Sequence, residues 1–204
     1  MINVAYIRLG EELTYDQLRE YENILPDHRR EKIARYRFDS DKLRSLISGL
    51  LIRRAIGDRE ITFGVHDKPY LADGSLYFSV SHSGDIVAIA TDDSELGVDV
   101  EAVPDPDRLK IADRFYHPTE RGYVYDSDDP ERAFCRVWTR KESYLKCTGE
   151  GISSDLTAFD TFSEPLSDRI VTLDLNGYCI SVCSSRPITE DDAYFSKLEL
   201  KEIV

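Results

Sequence analysis

Two short runs in this chain obey different periodicities, and each fits one kind of element. They are Gly97-Val98-Asp99-Val100-Glu101 and Trp138-Thr139-Arg140-Lys141-Glu142-Ser143-Tyr144-Leu145-Lys146. In the first, apolar and acidic side chains alternate. A strand therefore sends Val98 and Val100 into a core and projects Asp99 and Glu101 together from the opposite face. In the second, Trp138, Glu142 and Lys146 recur every fourth residue, and a helix aligns them with Lys141 beside them. Three carboxylates and a lysine on two such elements are the inventory of a magnesium site that handles phosphate. Mg²⁺ takes a few carboxylate oxygens and completes its shell with water and substrate phosphates, and Lys146 can meet the same phosphates as a cation.

The rest of the chain sets the frame for that site. Its 204 residues suffice for one large domain or two small ones with a buried core. Hydrophobic content of 41% beside 32% charged residues is that of an ordinary soluble globular protein. The first nine residues lack the basic start and apolar centre of a signal peptide, and no apolar run approaches a membrane span. A cytoplasmic protein with no membrane partner is therefore expected. Cys135, Cys147, Cys179 and Cys183 lack C-x-x-C spacing and lie in apolar-patterned segments, as buried thiols do. A net charge of −13 argues against nucleic acid as a partner. The charge is uneven, because residues 28–54 carry nine Lys or Arg against three acids. Most of that run reads as a solvated helix face, with a minority available to bind an anion.

The local patterns predict an α+β fold. A first strand is expected over residues 2–8 and short helices over 14–22 and 26–36, the latter opened by Pro26. A longer helix follows, capped by Asp39 or Ser40, striped by Leu43, Leu46, Ile47, Leu50 and Leu51, and stopped by Gly57. Strands at Ile61–Val65, Leu76–His82, Ile86–Thr91 and Leu96–Glu101 then form a small sheet, with a tight turn at Ser83-Gly84-Asp85. Pro104-Asp105-Pro106-Asp107 breaks the pattern and places a junction between halves at residues 1–103 and 108–204. In the second half, helices are expected over Asp107–Arg114, Pro118–Tyr125 and from Asp129-Pro130 to Thr148-Gly149. A hairpin follows at Ile170–Leu175 and Tyr178–Cys183 around Asn176-Gly177, then a last strand at Ala193–Leu200.

Taken together, the motifs resemble those of the two-domain, surfactin-synthetase type of 4′-phosphopantetheinyl transferase. That family's G-[VI]-D-[VI]-E strand and W-x-x-K-E-[SA]-x-x-K helix stand complete here at Gly97–Glu101 and Trp138–Lys146. Phe78-Ser79-Val80-Ser81-His82-Ser83 resembles its F-[NS]-[IVL]-S-H-[ST] strand. Lys68-Pro69-Tyr70 resembles its G-K-P-Y turn, with Asp67 in place of the glycine. The matches fall in family order across roughly residues 30–152, which a chance D-x-E or K-E-x-x-x-K would not do. The length sets the chain apart from the short, trimeric carrier-protein synthase branch.

The resemblance implies two pseudo-symmetric halves, each of helices on a small antiparallel sheet, with the active site between them. It implies transfer of the phosphopantetheine arm of coenzyme A to a serine of an apo acyl, peptidyl or aryl carrier protein, releasing adenosine 3′,5′-bisphosphate. Asp99 and Glu101 are then the Mg²⁺ ligands at the pyrophosphate. Glu142 is either the third ligand, direct or through water, or the base that takes the serine proton, since one carboxylate serves both duties poorly; a metal-bound water is the alternative base. Lys146 is the cation for the pyrophosphate and the departing nucleotide phosphate. Ser81 and His82, with Arg44 and Ser45 and with Lys32 or Arg35, fall to the coenzyme's 3′-phosphate, and Lys68 to its adenine and ribose end. Trp138 reads as packing, Lys141 as facing away from the metal or propping the site, and His117 as structural or surface. Phe115, Tyr116, Tyr123 and Val124 stand where the family meets its carrier. Two internal halves make a monomer the simplest expectation.

Two rival readings remain at this stage. A Mg²⁺-dependent nuclease shares the strand D-x-E but needs a lysine two residues after the glutamate, where this chain has Val103. A silent module that binds acyl-coenzyme A or a carrier would not need the complete set of carboxylates and lysine.

Overall fold

A computed structural model describes residues 1–10, 12–64, 68–151 and 155–204, which leaves Val65, Asp67 and Ile152 of the expected motifs outside the described residues. Strand β1 (Ile2–Arg8) is followed by helices α1 (Tyr15–Leu18), α2 (Asp27–Arg35) and α3 (Asp39–Ile56). Then come strands β2 (Ile61–Phe63), β3 (Pro69–Leu71), β4 (Tyr77–Ser83), β5 (Ile86–Asp92) and β6 (Leu96–Ala102). Helices α4 (Ala112–Phe115), α5 (Pro118–Tyr125) and α6 (Pro130–Thr148) lead to β7 (Ile170–Leu175), β8 (Tyr178–Ser184) and β9 (Ala193–Lys197). The mixture of helices and small, mostly antiparallel sheets is the expected α+β class.

Local chemistry accounts for the long helices. The apolar stripe of α3 is buried throughout, and Gly57, with φ near +67°, ends the helix in a conformation that side chains disfavour. Its start differs from the expected cap. Phe38 is the extended N-cap residue, while Asp39 and Asp41 lie in the first turn, where a carboxylate meets the positive end of the helix dipole. On α6, the Asp129 side chain accepts from the Arg132 N–H at 3.1 Å, Pro130 takes the first helical position, and Gly149 closes the helix in the left-handed region.

The strands do not divide at the proline junction as the sequence suggests. Sheet order is β4-β5-β1-β9 in one sheet and β6-β8-β7 in another, with β2 and β3 forming a separate pair. Thus β6, expected to complete the first sheet, pairs antiparallel with β8, Asp99 standing opposite Ser181 and Glu101 opposite Cys179. In exchange β9 crosses to the first sheet and runs parallel to β1. Between the sheets lies an apolar layer in which Val4, Ile86 and Ala88 meet Val98, Val100 and Ile180. Helix α3 covers the other face of the first sheet, and α6 packs on β6 and β8.

The edge strands β4 and β6 are joined by side chains. Ser79 Oγ accepts from Val98 N–H at 3.1 Å and Ser83 Oγ accepts from Ala102 N–H at 3.2 Å. Ser81 Oγ donates to Asp99 Oδ1 at 2.8 Å and Ser83 Oγ to Glu101 Oε2 at 2.7 Å. Serine at alternate positions puts all three hydroxyls on one side of β4. The outer edge of β6 thereby finds partners it would otherwise lack.

Across β6, α6 approaches until backbone meets backbone. A methyl at Gly97 would stand 2.2 Å from the Ser143 carbonyl oxygen and 2.4 Å from the Cys147 nitrogen, and neither atom can swing aside. Overpacking of this kind costs about 1–3 kcal/mol or more. Gly97→Ala should therefore lower the melting temperature by about 2–4 °C per kcal/mol lost in a chain of this size. A thermal melt superimposable on that of the wild type would contradict the contact.

Candidate functional site

Where β4, β6, α2, α3 and α6 converge, a pocket of about 480 Å³ gathers side chains from all five. Asp99, Glu101, Trp138, Glu142 and Lys146 line one end of it, so the strand face and the helix face expected from the two periodicities do meet. His28, Arg29, Lys32, Ser45 and His82 line the other end.

At the acidic end Lys146 is the hub. Its Nζ lies 2.7 Å from Asp99 Oδ1 and donates to Ser81 Oγ at 2.8 Å. Glu142 faces the same space from one turn earlier on α6. Burial first, then the neighbouring Asp99, push its carboxyl up to about 7; Lys146 pulls the other way, and Glu101 adds a smaller push. Glu101 is raised by the same two causes, burial and Asp99, with its bond from Ser83 opposing them.

Among the described residues, no group of three His, Cys, Asp or Glu side chains is gathered closely enough to enclose a metal ion. The three acids share a pocket without forming a finished cage. Two observations nevertheless suit a cation: Asp99 Oδ2 and Glu142 Oε1 are buried without any hydrogen-bond partner. Such orphaned anionic oxygens, with one lysine among three acids, favour a positive guest.

Lys32, Ser45 and His82 line the pocket as well, while Ser81, also in the lining, is engaged with Asp99 and Lys146 at the acidic end. Ser45 Oγ is buried without a partner, a hydroxyl free for a ligand. His82 stands at the pocket wall, with part of its surface in contact with solvent. Desolvation, then the charges of Arg44, Lys146 and Lys32, lower its affinity for a proton.

Other expected residues lie elsewhere. Arg35 is exposed and paired with Glu31 at 3.8 Å. Arg44 is held outside the lining by Gly84 O and by Asp41, at 3.0 and 2.6 Å. Lys68 lines an adjoining apolar slot of about 260 Å³, where its Nζ donates to the carbonyl of Cys147 at 2.7 Å, at the C-terminal end of α6. Arg29, His28 and Phe63 are pocket residues that the sequence did not single out. Arg29 is partly buried, is lowered by desolvation, and forms no ion pair among the described residues. Its only sequence signal was membership of the basic run. Of the carrier-side segment, Tyr116 and Val124 are buried and unavailable to a partner, the Tyr116 hydroxyl donating to Phe134 O at 2.8 Å. Tyr123 is exposed.

Comparison with known proteins bears on this arrangement. Residues 95–193 match the sequence model of the 4′-phosphopantetheinyl transferase superfamily, and residues 13–94 match that of the 4′-phosphopantetheinyl transferase N-terminal region. The 4′-phosphopantetheinyl transferase ffp of Bacillus subtilis is 31% identical over 191 residues, spanning 80% of this chain and 84% of that protein. The chain belongs to the 4′-phosphopantetheinyl transferase superfamily. Similar to it as well are the 4′-phosphopantetheinyl transferase Sfp of Bacillus subtilis strain 168, 29% identical over 91% of this chain and 93% of Sfp, and another Bacillus subtilis 4′-phosphopantetheinyl transferase, 35% identical over 69% and 66%. The two matches adjoin at residues 94 and 95, so β6 and β8 fall within the same match.

The elevated Glu142 carboxyl makes stability depend on pH. A raised folded-state value means that the folded protein holds this proton more tightly than the unfolded chain. The contribution is therefore complete below the ordinary value of 4.5 and is lost as pH rises through about 7. Denaturant midpoints taken between pH 5 and pH 8 should fall more steeply for wild type than for Glu142→Gln. Parallel curves would show that Glu142 is not the group responsible.

Proposed function

We propose that this enzyme transfers the 4′-phosphopantetheine arm of coenzyme A to a serine hydroxyl of an apo carrier protein and releases adenosine 3′,5′-bisphosphate. The observation that carries the reading is the division of charge along one pocket. A site for three acids and a lysine at one end suits a cation-bound pyrophosphate. Arg29, Lys32, His82 and the Ser45 hydroxyl at the other end suit the 3′-phosphate on the adenosine side. The Phe63 ring, 56% exposed in that wall, offers a stacking face for the base.

The reaction breaks the bond between the bridging pyrophosphate oxygen and the phosphorus that carries pantetheine, while the serine oxygen bonds to that phosphorus. Asp99 and Glu101, joined by Glu142, would hold Mg²⁺, which when bound neutralises pyrophosphate charge and assists the leaving phosphate. Lys146 moves its ammonium from Asp99 to the phosphates and offsets the charge that builds on the departing nucleotide. Glu142, in the same pocket, would either complete the shell of the cation or accept the serine proton, with Asp99 and Glu101 as the principal holders of the cation. Ser81 and Ser83 keep those two carboxylates aimed. Four free buried thiols suit a reducing cytoplasm.

Incubation with coenzyme A, Mg²⁺ and a panel of apo carriers should add one phosphopantetheine mass to at least one carrier. A panel left unmodified while coenzyme A still binds would point to the binding module instead. Asp99→Ala and Glu142→Ala should each lower kcat about 10²–10⁴-fold without unfolding the protein. Arg29→Ala should act on recognition, raising KM for coenzyme A about tenfold, a loss of about 1.4 kcal/mol, with kcat little changed. An unchanged KM would remove Arg29 from the phosphate end.

A further inference from the structure

Two fully buried charges lie beside the site without a task in the transfer chemistry. Lys141 precedes Glu142 on α6, and its Nζ stands 2.7 Å from a carboxylate oxygen of Glu120 on α5. Neither side chain has exposed surface. The Lys141 ammonium also donates to the carbonyls of Leu156 and Phe159, at 2.7 and 2.8 Å, which uses all three of its protons. Glu120 is equally committed. It accepts from the N–H and hydroxyl of Thr161 at 2.9 and 2.8 Å, and from the N–H of His117 at 3.0 Å.

One ion pair thus ties together the start of α5, the segment 156–161 and the middle of α6. Arg140 adds a second tie on the adjacent helix position, donating to the carbonyls of Thr161 and Ile170 at 2.5 and 3.2 Å. Successive helix residues are rotated by about 100°. With 140 and 141 fastened to the segment beyond α6, residue 142 is turned toward Asp99 and Glu101.

A buried ion pair is a poor source of stability, because desolvation of both charges consumes most of their attraction, and apolar residues of similar volume often serve as well. What it supplies well is direction, since its partners must be met at fixed angles and distances. Resting on the role proposed above for Glu142, we infer that the Glu120–Lys141 pair is a positioning device for transfer. It touches no substrate, and it sets the rotation of α6 that aims Glu142 into the pocket.

Lys141→Met, Glu120→Gln and the double variant test this at a temperature where circular dichroism shows each one folded. Wild-type transfer is measured first, so that failure of the proposed reaction is seen separately from failure of the pair. Each single variant should lower kcat at least tenfold, while calorimetry gives a coenzyme A Kd within twofold of wild type. The double variant, which leaves no charge stranded, should recover the melting temperature but not kcat. Recovery of kcat together with the melting temperature would reduce the pair to a stabilising contact and overturn the inference. So would single variants that keep wild-type kcat, or that lose coenzyme A binding in proportion to kcat. If Lys141→Met does not fold, Glu120→Gln, which retains a neutral acceptor for Lys141, decides by the same two measurements.

Discussion

Contact between the backbones of β6 and α6 at Gly97 brings the chemistry of this protein into one place. An ordinary strand and helix stand apart by the length of the side chains between them. Here the missing side chain lets the Ser143 carbonyl and the Cys147 nitrogen close on the strand. Asp99 and Glu101 then lie within reach of a lysine and a glutamate one helical turn apart. The Thr139 and Ser181 hydroxyls, 2.8 Å apart, continue the polar contact between α6 and the second sheet.

That closeness creates an electrostatic problem whose solution is visible in the pocket. Three carboxylates in a partly desolvated space repel one another, and the protein answers in three ways. Lys146 neutralises one charge, serine hydroxyls on β4 satisfy an oxygen each of Asp99 and Glu101, and Glu142 tends to keep its proton. The remaining imbalance is not relieved internally, which leaves Asp99 Oδ2 and Glu142 Oε1 without partners. At the far end Arg29 is desolvated and has no ion pair among the described residues. The ligand proposed above, carrying phosphates together with a divalent cation, would complement both ends at once.

Much of this was legible in the chain because the elements concerned are strongly patterned. The alternation at 97–101 and the four-residue recurrence at 138–146 fixed strand, helix and the faces that meet. Pro130, Gly149 and Asn176-Gly177 marked boundaries that the structure keeps. Sheet membership was less legible. Strand β6 follows β5 closely in sequence, yet its backbone ladder is with β8, and serine side chains supply its link toward β4. Nothing in a local pattern distinguishes a hydroxyl facing a neighbouring strand from one facing water. The cations of the basic run were similarly ambiguous. Arg29, Arg35 and Arg44 look alike as residues, and only the packing of α2 and α3 decides that Arg29 enters the pocket while Arg35 stays in solvent.

The parallel partnership of β1 with β9 bears on how the protein is made. Residue 2 cannot complete its neighbour interactions until residue 193 and those after it have left the ribosome. The first sheet therefore waits, one flank of β1 open, until residues 193–197 have been synthesised. Closing so long a loop is slow, and an open strand flank invites pairing with other chains. Helices α2 and α3 and the β4–β5 hairpin, whose contacts are local, are available to shelter that strand in the interval. Assembly thus ends where it began, with the last strand sealing the first.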